Sequence, residues 1–193
     1  MTPRRHGLRL ALDPAADEYL TQDPLALLIG MLLDQQFPME RAFAAPYLLA
    51  ERLGHRPSAA ELADFDPDEL AAIFARPPVL HRYPRSMAAR VQALCHRLVD
   101  DYGGDAGRIW EAVGAADEVY RRLRSLPGFG EQKARIFIAL LGKQCGIQPS
   151  GWREVAGPYG EDGSRRSIAD VTDERSLQEV RRQKKEAKAA RSA

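Results

Sequence analysis

Leu126-Pro127-Gly128-Phe129-Gly130-Glu131-Gln132-Lys133-Ala134 is the stretch around which this chain is organised. Arg121 to Leu126 carries a helical pattern. Pro127 then denies the next turn its donor, and Gly128 and Gly130 permit backbone angles that a side chain would forbid, so the chain turns sharply. From Glu131 onward Ala134, Ile136, Phe137, Ile138, Ala139, Leu140 and Leu141 form an apolar helix. The glycines therefore sit at a helix N-terminus with their amides free. Free amides added to the helix dipole suit a phosphate oxygen, the glycines let that oxygen come close, and Lys133 adds an ionic contact indifferent to base sequence. Pro127, Gly128, Gly130 and Lys133 thus read as a clamp on a nucleic-acid backbone. The competing reading is a plain tight turn between two helices.

The rest of the chain supplies helices to either side. Its 193 residues suffice for one sizeable core or for two small lobes sharing a cleft. Ala, Leu and Arg dominate, Val and Ile are sparse, and no stretch sustains strand alternation, which predicts an all-α protein. A formal net charge of +1 argues neither for nor against a nucleic-acid partner. Leu8 to Leu12 is a short apolar lead. Asp13-Pro14 and Asp23-Pro24 each read as an N-cap with proline at the first helical position, and Leu25 to Leu33 is apolar on nearly every side, as a core helix should be. It ends in Asp34-Gln35-Gln36-Phe37-Pro38. Met39 to Leu53 is amphipathic, interrupted by Pro46 and closed by Gly54. Ser58 and Asp66 open two short helices, with Glu61 completing a capping box for the first. Arg76 to Pro84 is a rigid basic connector before a long helix to Tyr102; its His81 lacks a second ligand or nucleophile and reads as structural. Ile109 to Val113 is a brief helical turn, and Gly151 to Arg166 a Gly/Pro-rich loop.

The hairpin with its flanking helices resembles the helix-hairpin-helix of the HhH-GPD superfamily of DNA glycosylases, relatives of endonuclease III and alkyladenine glycosylase that excise damaged bases. The likeness runs from about Asp23 to Cys145 in the family's order of elements. It implies a two-lobed all-α fold. "LLIGMLLDQQ" resembles the segment in which these enzymes end their buried helix with a glutamine that enters the duplex where the lesion has left the stack. Gln36 matches that position, beside Gln35, and an amide there helps offset the cost of base flipping. The region matching the basic connector approaches DNA in the family, which implies phosphate contacts for Arg82 and Arg85; a solvated charged loop is the equal alternative.

The resemblance also directs attention to the chemistry. A glycosylase stabilises an oxocarbenium-like sugar, usually with an ionised carboxylate. Relatives that also cut the backbone place a Schiff-base lysine just after the hairpin glycines. Here that position is Gln132, and Lys133, one helical step on, is turned about 100° away. A monofunctional N-glycosylase, a hydrolase of N-glycosidic bonds, is therefore expected. The family's carboxylate follows the hairpin helix after a short loop, but Gln148-Pro149-Ser150-Gly151-Trp152 contains no acid. An insertion over 151–166 would shift the role to Asp170, with Asp173 and Asp34 as reserves. Asp170 and Asp173 also suit helix caps, and the alternative is a non-catalytic DNA-binding protein that has lost its acid. Trp152 and Tyr159 lie in the loop expected near the lesion pocket, where an aromatic face stacks on an extruded base; covering the edge of the core is the equal alternative for both.

The domain plan is a lead segment over 1–22, a helical core over 23–147, a loop insertion over 148–173 and a basic terminal helix over 174–193, whose cations suit phosphate or plain solvent. Two cysteines, Cys95 and Cys145, exclude the four-cysteine iron–sulfur cluster of some relatives. No cofactor is expected to be required and no metal is expected on side chains; the resemblance implies a monovalent cation at the hairpin carbonyls. Arg4 and Arg5 are not followed by a signal-peptide run, and Leu25 to Leu33 is too short to span a bilayer. The expectation is a cytoplasmic monomer acting on double-stranded DNA, away from membranes.

Overall fold

A computed structural model describes residues 7–191; Arg4 and Arg5, with Ser192 and Ala193, lie outside the described residues. The chain is all-α, 67% helical and without strands among the described residues. Among the described residues ten helices follow one another: α1 (Pro14–Gln22), α2 (Pro24–Leu33), α3 (Met39–Leu53), α4 (Ala59–Asp64), α5 (Pro67–Ala75), α6 (Pro84–Tyr102), α7 (Ala116–Arg124), α8 (Glu131–Gln144), α9 (Trp152–Ala156) and α10 (Glu174–Arg191).

One device starts three of them. Asp13, Asp23 and Asp66 each precede a proline and accept the amides of the first turn, Ala16 from Asp13 at 2.9 Å and Leu25 from Asp23 at 2.9 Å. Each such cap contributes about 1 kcal/mol and fixes where its helix begins. The predicted capping box at Ser58 is only half made. The hydroxyl takes the Glu61 amide, but the Glu61 carboxylate turns away to His55 Nε2 at 2.8 Å.

The centre is α2, where every residue from Leu25 to Leu33 is buried. Gly30 lets α3 come close: a Cβ there would stand 2.6 Å from the Phe43 ring. On one side α4 and α5 lie on α6, and Gln92 of α6 donates to the Leu62 and Phe65 carbonyls at the end of α4. On the other, α7 and α9 lie on α8. Gln144 in the last turn of α8 donates to the carbonyls of Ala169 and Val171, at 2.9 and 3.0 Å, and so holds the 3-10 turn at Ile168–Asp170.

Three local expectations change. The stretch 151–166 is not simply a loop but contains α9. The turn expected at 109–113 forms at Ala106–Ile109. The terminal helix is docked over its first half. Leu177 and Val180 are buried, and Arg181 reaches both carboxylate oxygens of Glu40 on α3, at 2.6 and 2.7 Å. Beyond Arg181, Arg182, Lys185 and Lys188 are exposed. Among the described residues, no helix is long and apolar enough to cross a membrane.

Candidate nucleic-acid interface

The hairpin is built by two buried apolar side chains and two glycines. Leu126 and Phe129 are buried, and the Phe129 amide donates to the Leu126 carbonyl at 3.2 Å, closing the turn. Gly128 has φ +81°, and a Cβ there would lie 2.4 Å from Leu32 Cδ1, so both conformation and packing demand glycine. Gly130 differs. Its φ of −70° suits any residue, and a Cβ would meet nothing within 4 Å. No internal reason for that glycine exists in the fold. What its missing side chain does is leave the approach to the helix start open. The amides of Gly128, Gly130, Glu131 and Gln132 have no hydrogen-bond partner among the described residues, and all four residues are exposed. This is an anion-receiving surface of the kind a strand phosphate fits.

Lys133 is not part of that open surface. Its amine is turned inward and donates to the Leu32 carbonyl at the end of α2, 3.0 Å away. Burial pulls its pKa down to about 8, against the attraction of Asp34. The expected outward phosphate contact is corrected accordingly, because the side chain spans the gap between hairpin and core. Gln132 faces the other way, and its amide donates to the Tyr159 hydroxyl at 2.9 Å.

The second half of the surface is the end of α2. The Gln35 side chain folds back, donating to the Leu32 carbonyl at 2.7 Å and accepting from Arg90 at 3.1 Å. Gln36 is exposed and left-handed, φ +52°, a strain of about 1–2 kcal/mol for a residue with a Cβ. Its carbonyl oxygen Oε1 accepts from the Tyr83 hydroxyl at 3.4 Å. The two glutamines therefore divide the work: Gln35 braces and Gln36 projects. Tyr83, 42% exposed, is the one large hydrophobic exposed among the described residues. Sequence reasoning gave Tyr83 no role of its own within the basic connector and passed over Arg90; an aromatic residue in that connector was the available signal for the first.

Asp34 stands between these two halves. Its carboxylate accepts no hydrogen bond from the described residues, and burial raises its pKa, opposed by Lys184 of α10 and by Lys133. Asp170, by contrast, is bound at the far end of α8. It accepts from Lys143 at 2.6 Å and from the amides of Arg166 and Ser167 at 2.9 and 3.3 Å, completing a capping box with Ser167. Lys143 is ten residues beyond Lys133, about 15 Å along the helix. Asp173 caps α10 through the Ser176 amide at 2.7 Å, a bond that lowers its pKa. The geometry brings Asp34 to the hairpin and leaves Asp170 and Asp173 away from it.

Of the two loop aromatics, only Tyr159 is at the hairpin. Trp152 is 6% exposed, its ring against α8 where a Gly142 Cβ would stand 2.5 Å away, and the Arg153 guanidinium covers it at 4.3 Å. It is a core side chain with no face left for a base. Arg82 is exposed beside Tyr83, 5.4 Å from the ring centre, and Arg85 pairs at 2.8 Å with Asp68, both about four-fifths exposed. So exposed a pair leaves Arg85 available to solvent or phosphate. Cys95 and Cys145 are both buried, the Cys95 thiol pushed up to about 12 by burial. Among the described residues no group of three or more His, Cys, Asp or Glu is placed to hold a metal ion.

The family model for the HhH-GPD superfamily base excision DNA repair protein matches residues 29–193. No curated protein matches the chain.

Proposed function

Because the chain belongs to the HhH-GPD superfamily of base excision DNA repair proteins, we propose that it is a monofunctional DNA N-glycosylase that removes a damaged or mismatched base from double-stranded DNA. The observation that carries the proposal is the open hairpin face. Gly130 has no internal need to be glycine, and it lies in a run of unpartnered amides near the end of α2, where Gln36 projects. A strand phosphate seated on those amides leaves Gln36 and Tyr83 to fill the space of an extruded nucleotide.

In this reading Asp34 is the carboxylate at the sugar. Its negative form stabilises the oxocarbenium-like centre as the base departs, and an acid held above its ordinary range also supplies a proton to a leaving base. Lys133 and Lys184 balance that charge. Gln132, engaged by Tyr159, stands where lyase relatives carry their nucleophilic amine, which favours hydrolysis alone. The hairpin carbonyl of Leu126 accepts one amide, from Phe129, and keeps a second lone pair, so it is chemically fit for the implied monovalent cation, which would fix the turn's shape. A monomer without other cofactors belongs to the same proposal.

A second reading has one observation in its favour: Asp170 and Asp173 are both engaged as caps, as in a DNA-binding protein without a catalytic acid. Incubating the protein with duplexes carrying uracil, alkylated or oxidised bases, then adding alkali to reveal abasic sites, separates the two. Cleavage after alkali, lost in Asp34→Asn, is expected. No cleavage on any substrate, with duplex binding intact, would establish the second reading.

A further inference from the structure

His81 is 0% exposed, and its ring is committed on every side. Nδ1 stands 3.0 Å from the Tyr83 amide nitrogen, and Nε2 stands 3.0 Å from the Gln35 carbonyl. A backbone N–H can only donate, so Nδ1 accepts; a carbonyl can only accept, so Nε2 carries the proton. The partners thus dictate a single neutral tautomer. The Phe37 ring lies against the imidazole at 4.8 Å between centroids, and Tyr83 at 6.0 Å. Gln35 and Phe37 are the two neighbours of Gln36. One imidazole therefore grips the chain immediately before and immediately after the strained, left-handed residue, and also sets the backbone of Tyr83, whose hydroxyl meets the Gln36 amide.

A left-handed glutamine persists only where its surroundings over-determine it. We propose that His81 is a positioning residue for the interrogation of the base pair, holding Gln36 in its projecting conformation through the Gln35 carbonyl and the Phe37 ring. The inference rests on the reading of Gln36 as the group that enters the duplex. The basic connector is then less a phosphate-tracking loop than a support, reaching across 46 residues of sequence to the end of α2.

The support is sensitive to acid. Burial lowers the His81 pKa, and the charged groups facing it, Lys133 from α8 and Arg90 from α6, are both cationic and lower it further. Arg41 of α3 sits over the far partner ring, Phe37, at 4.7 Å. The ring is neutral near pH 7. Protonation turns Nδ1 into a donor facing the Tyr83 N–H, and the grip opens.

The test is the ratio of affinities of the full-length protein for a duplex carrying a tetrahydrofuran abasic-site analogue and for the same duplex intact. Wild type is expected to prefer the analogue. His81→Asn keeps an acceptor near Tyr83 but loses the donor to Gln35, and should reduce the ratio by about tenfold, the scale of one lost preorganised contact, leaving intact-duplex affinity unchanged. His81→Gln restores a donor at the Nε2 position and should recover most of the ratio. Lowering the pH below the ordinary imidazole range should reduce the ratio in wild type and not in His81→Gln. If Gln36→Ala abolishes the preference while His81→Asn retains it, His81 is not the positioning residue although Gln36 still interrogates. Loss of preference in neither variant, or none in wild type, overturns both. Should His81→Asn not fold, a pH-independent ratio in wild type overturns the inference on its own.

Discussion

Helix α8 carries a lysine near each end that faces an aspartate from elsewhere in the chain, and the two could hardly be treated more differently. At its C-terminal end Lys143 and Asp170 are 2.6 Å apart, side chains 15% and 3% exposed, and the carboxylate takes two backbone amides as well. Every lone pair it needs to fill is filled. At the N-terminal end Lys133 donates to a carbonyl, and Asp34 accepts nothing from the described residues. There burial pushes the acid up and the amine down to about 8. The first pair holds the structure together, and the second is the one that the proposed function draws on. A perturbed acid without a hydrogen-bond donor beside it is what a functional site tends to hold, whereas a saturated pair is what architecture tends to hold.

The largest expected effect breaks this contrast directly. Asp34→Asn should lower the rate of base excision by a factor on the order of 100 to 1000, as removal of one transition-state charge partner does, with duplex affinity retained; an unchanged single-turnover rate would end the role assigned to Asp34. Asp170→Asn should do the reverse. It strands Lys143 in a largely buried position at a cost of about 3–5 kcal/mol, lowering Tm by on the order of 10 °C while the rate per folded molecule stays near wild type. A calorimetric scan alongside the excision assay decides the pair of predictions together.

Gly130→Val comes next. With open space around its Cβ the variant should fold normally, yet bind duplex about tenfold more weakly, because the side chain blocks the amides from phosphate. Gly128→Val should instead unfold or shift the hairpin. Affinity unchanged in Gly130→Val, measured by fluorescence anisotropy, would remove the open-face argument.

Titration gives a smaller signature with a definite sign. A lysine with a folded pKa below its unfolded value is fully compatible with folding above pH 10.5, and its contribution is lost as pH falls towards about 8. Wild-type stability should therefore rise between about pH 8 and 10.5 from this group, and Lys133→Met should lack that rise. Asp34, shifted upward, behaves oppositely to the usual carboxylate: its favourable contribution is present below the unfolded value of 3.8 and lost as pH rises through the folded one. Asp34→Asn should be no less stable than wild type at neutral pH. The smallest effect is at the surface, where Arg85→Ala should alter stability by less than about 0.5 kcal/mol.

How much of this was legible in the sequence follows from which forces act locally. The hairpin, the core helix α2 and the three Asp-Pro helix starts depend on backbone permission and apolar patterning, which adjacent residues specify. Gln36 was singled out by motif position and Tyr159 as a loop aromatic; the first is exposed at the end of α2 and the second meets Gln132 of the hairpin. Which acid the proposed mechanism would use was not legible as such, because Asp34 and Asp170 look alike in a string of letters. Their difference comes from partners 99 and 27 residues away, Lys133 and Lys143. Trp152 was read as a loop aromatic because the absent side chain at Gly142 that makes its seat gives no local signal. The bracing by His81 and Arg90 was invisible for the same reason.

The oxygen of Leu32 receives hydrogen from both the Gln35 side chain and Lys133, residues 3 and 101 positions away from it. On the proposed function, gripping a strand and probing its bases are consequently not separate acts. Any shift of the hairpin under load alters a bond shared with the brace beneath Gln36, so tension on the backbone is transmitted to the finger that tests the stack. Paired changes at Lys133 and Gln35 should then fail to add, and the shortfall measures how stiffly the two halves of the grip are geared.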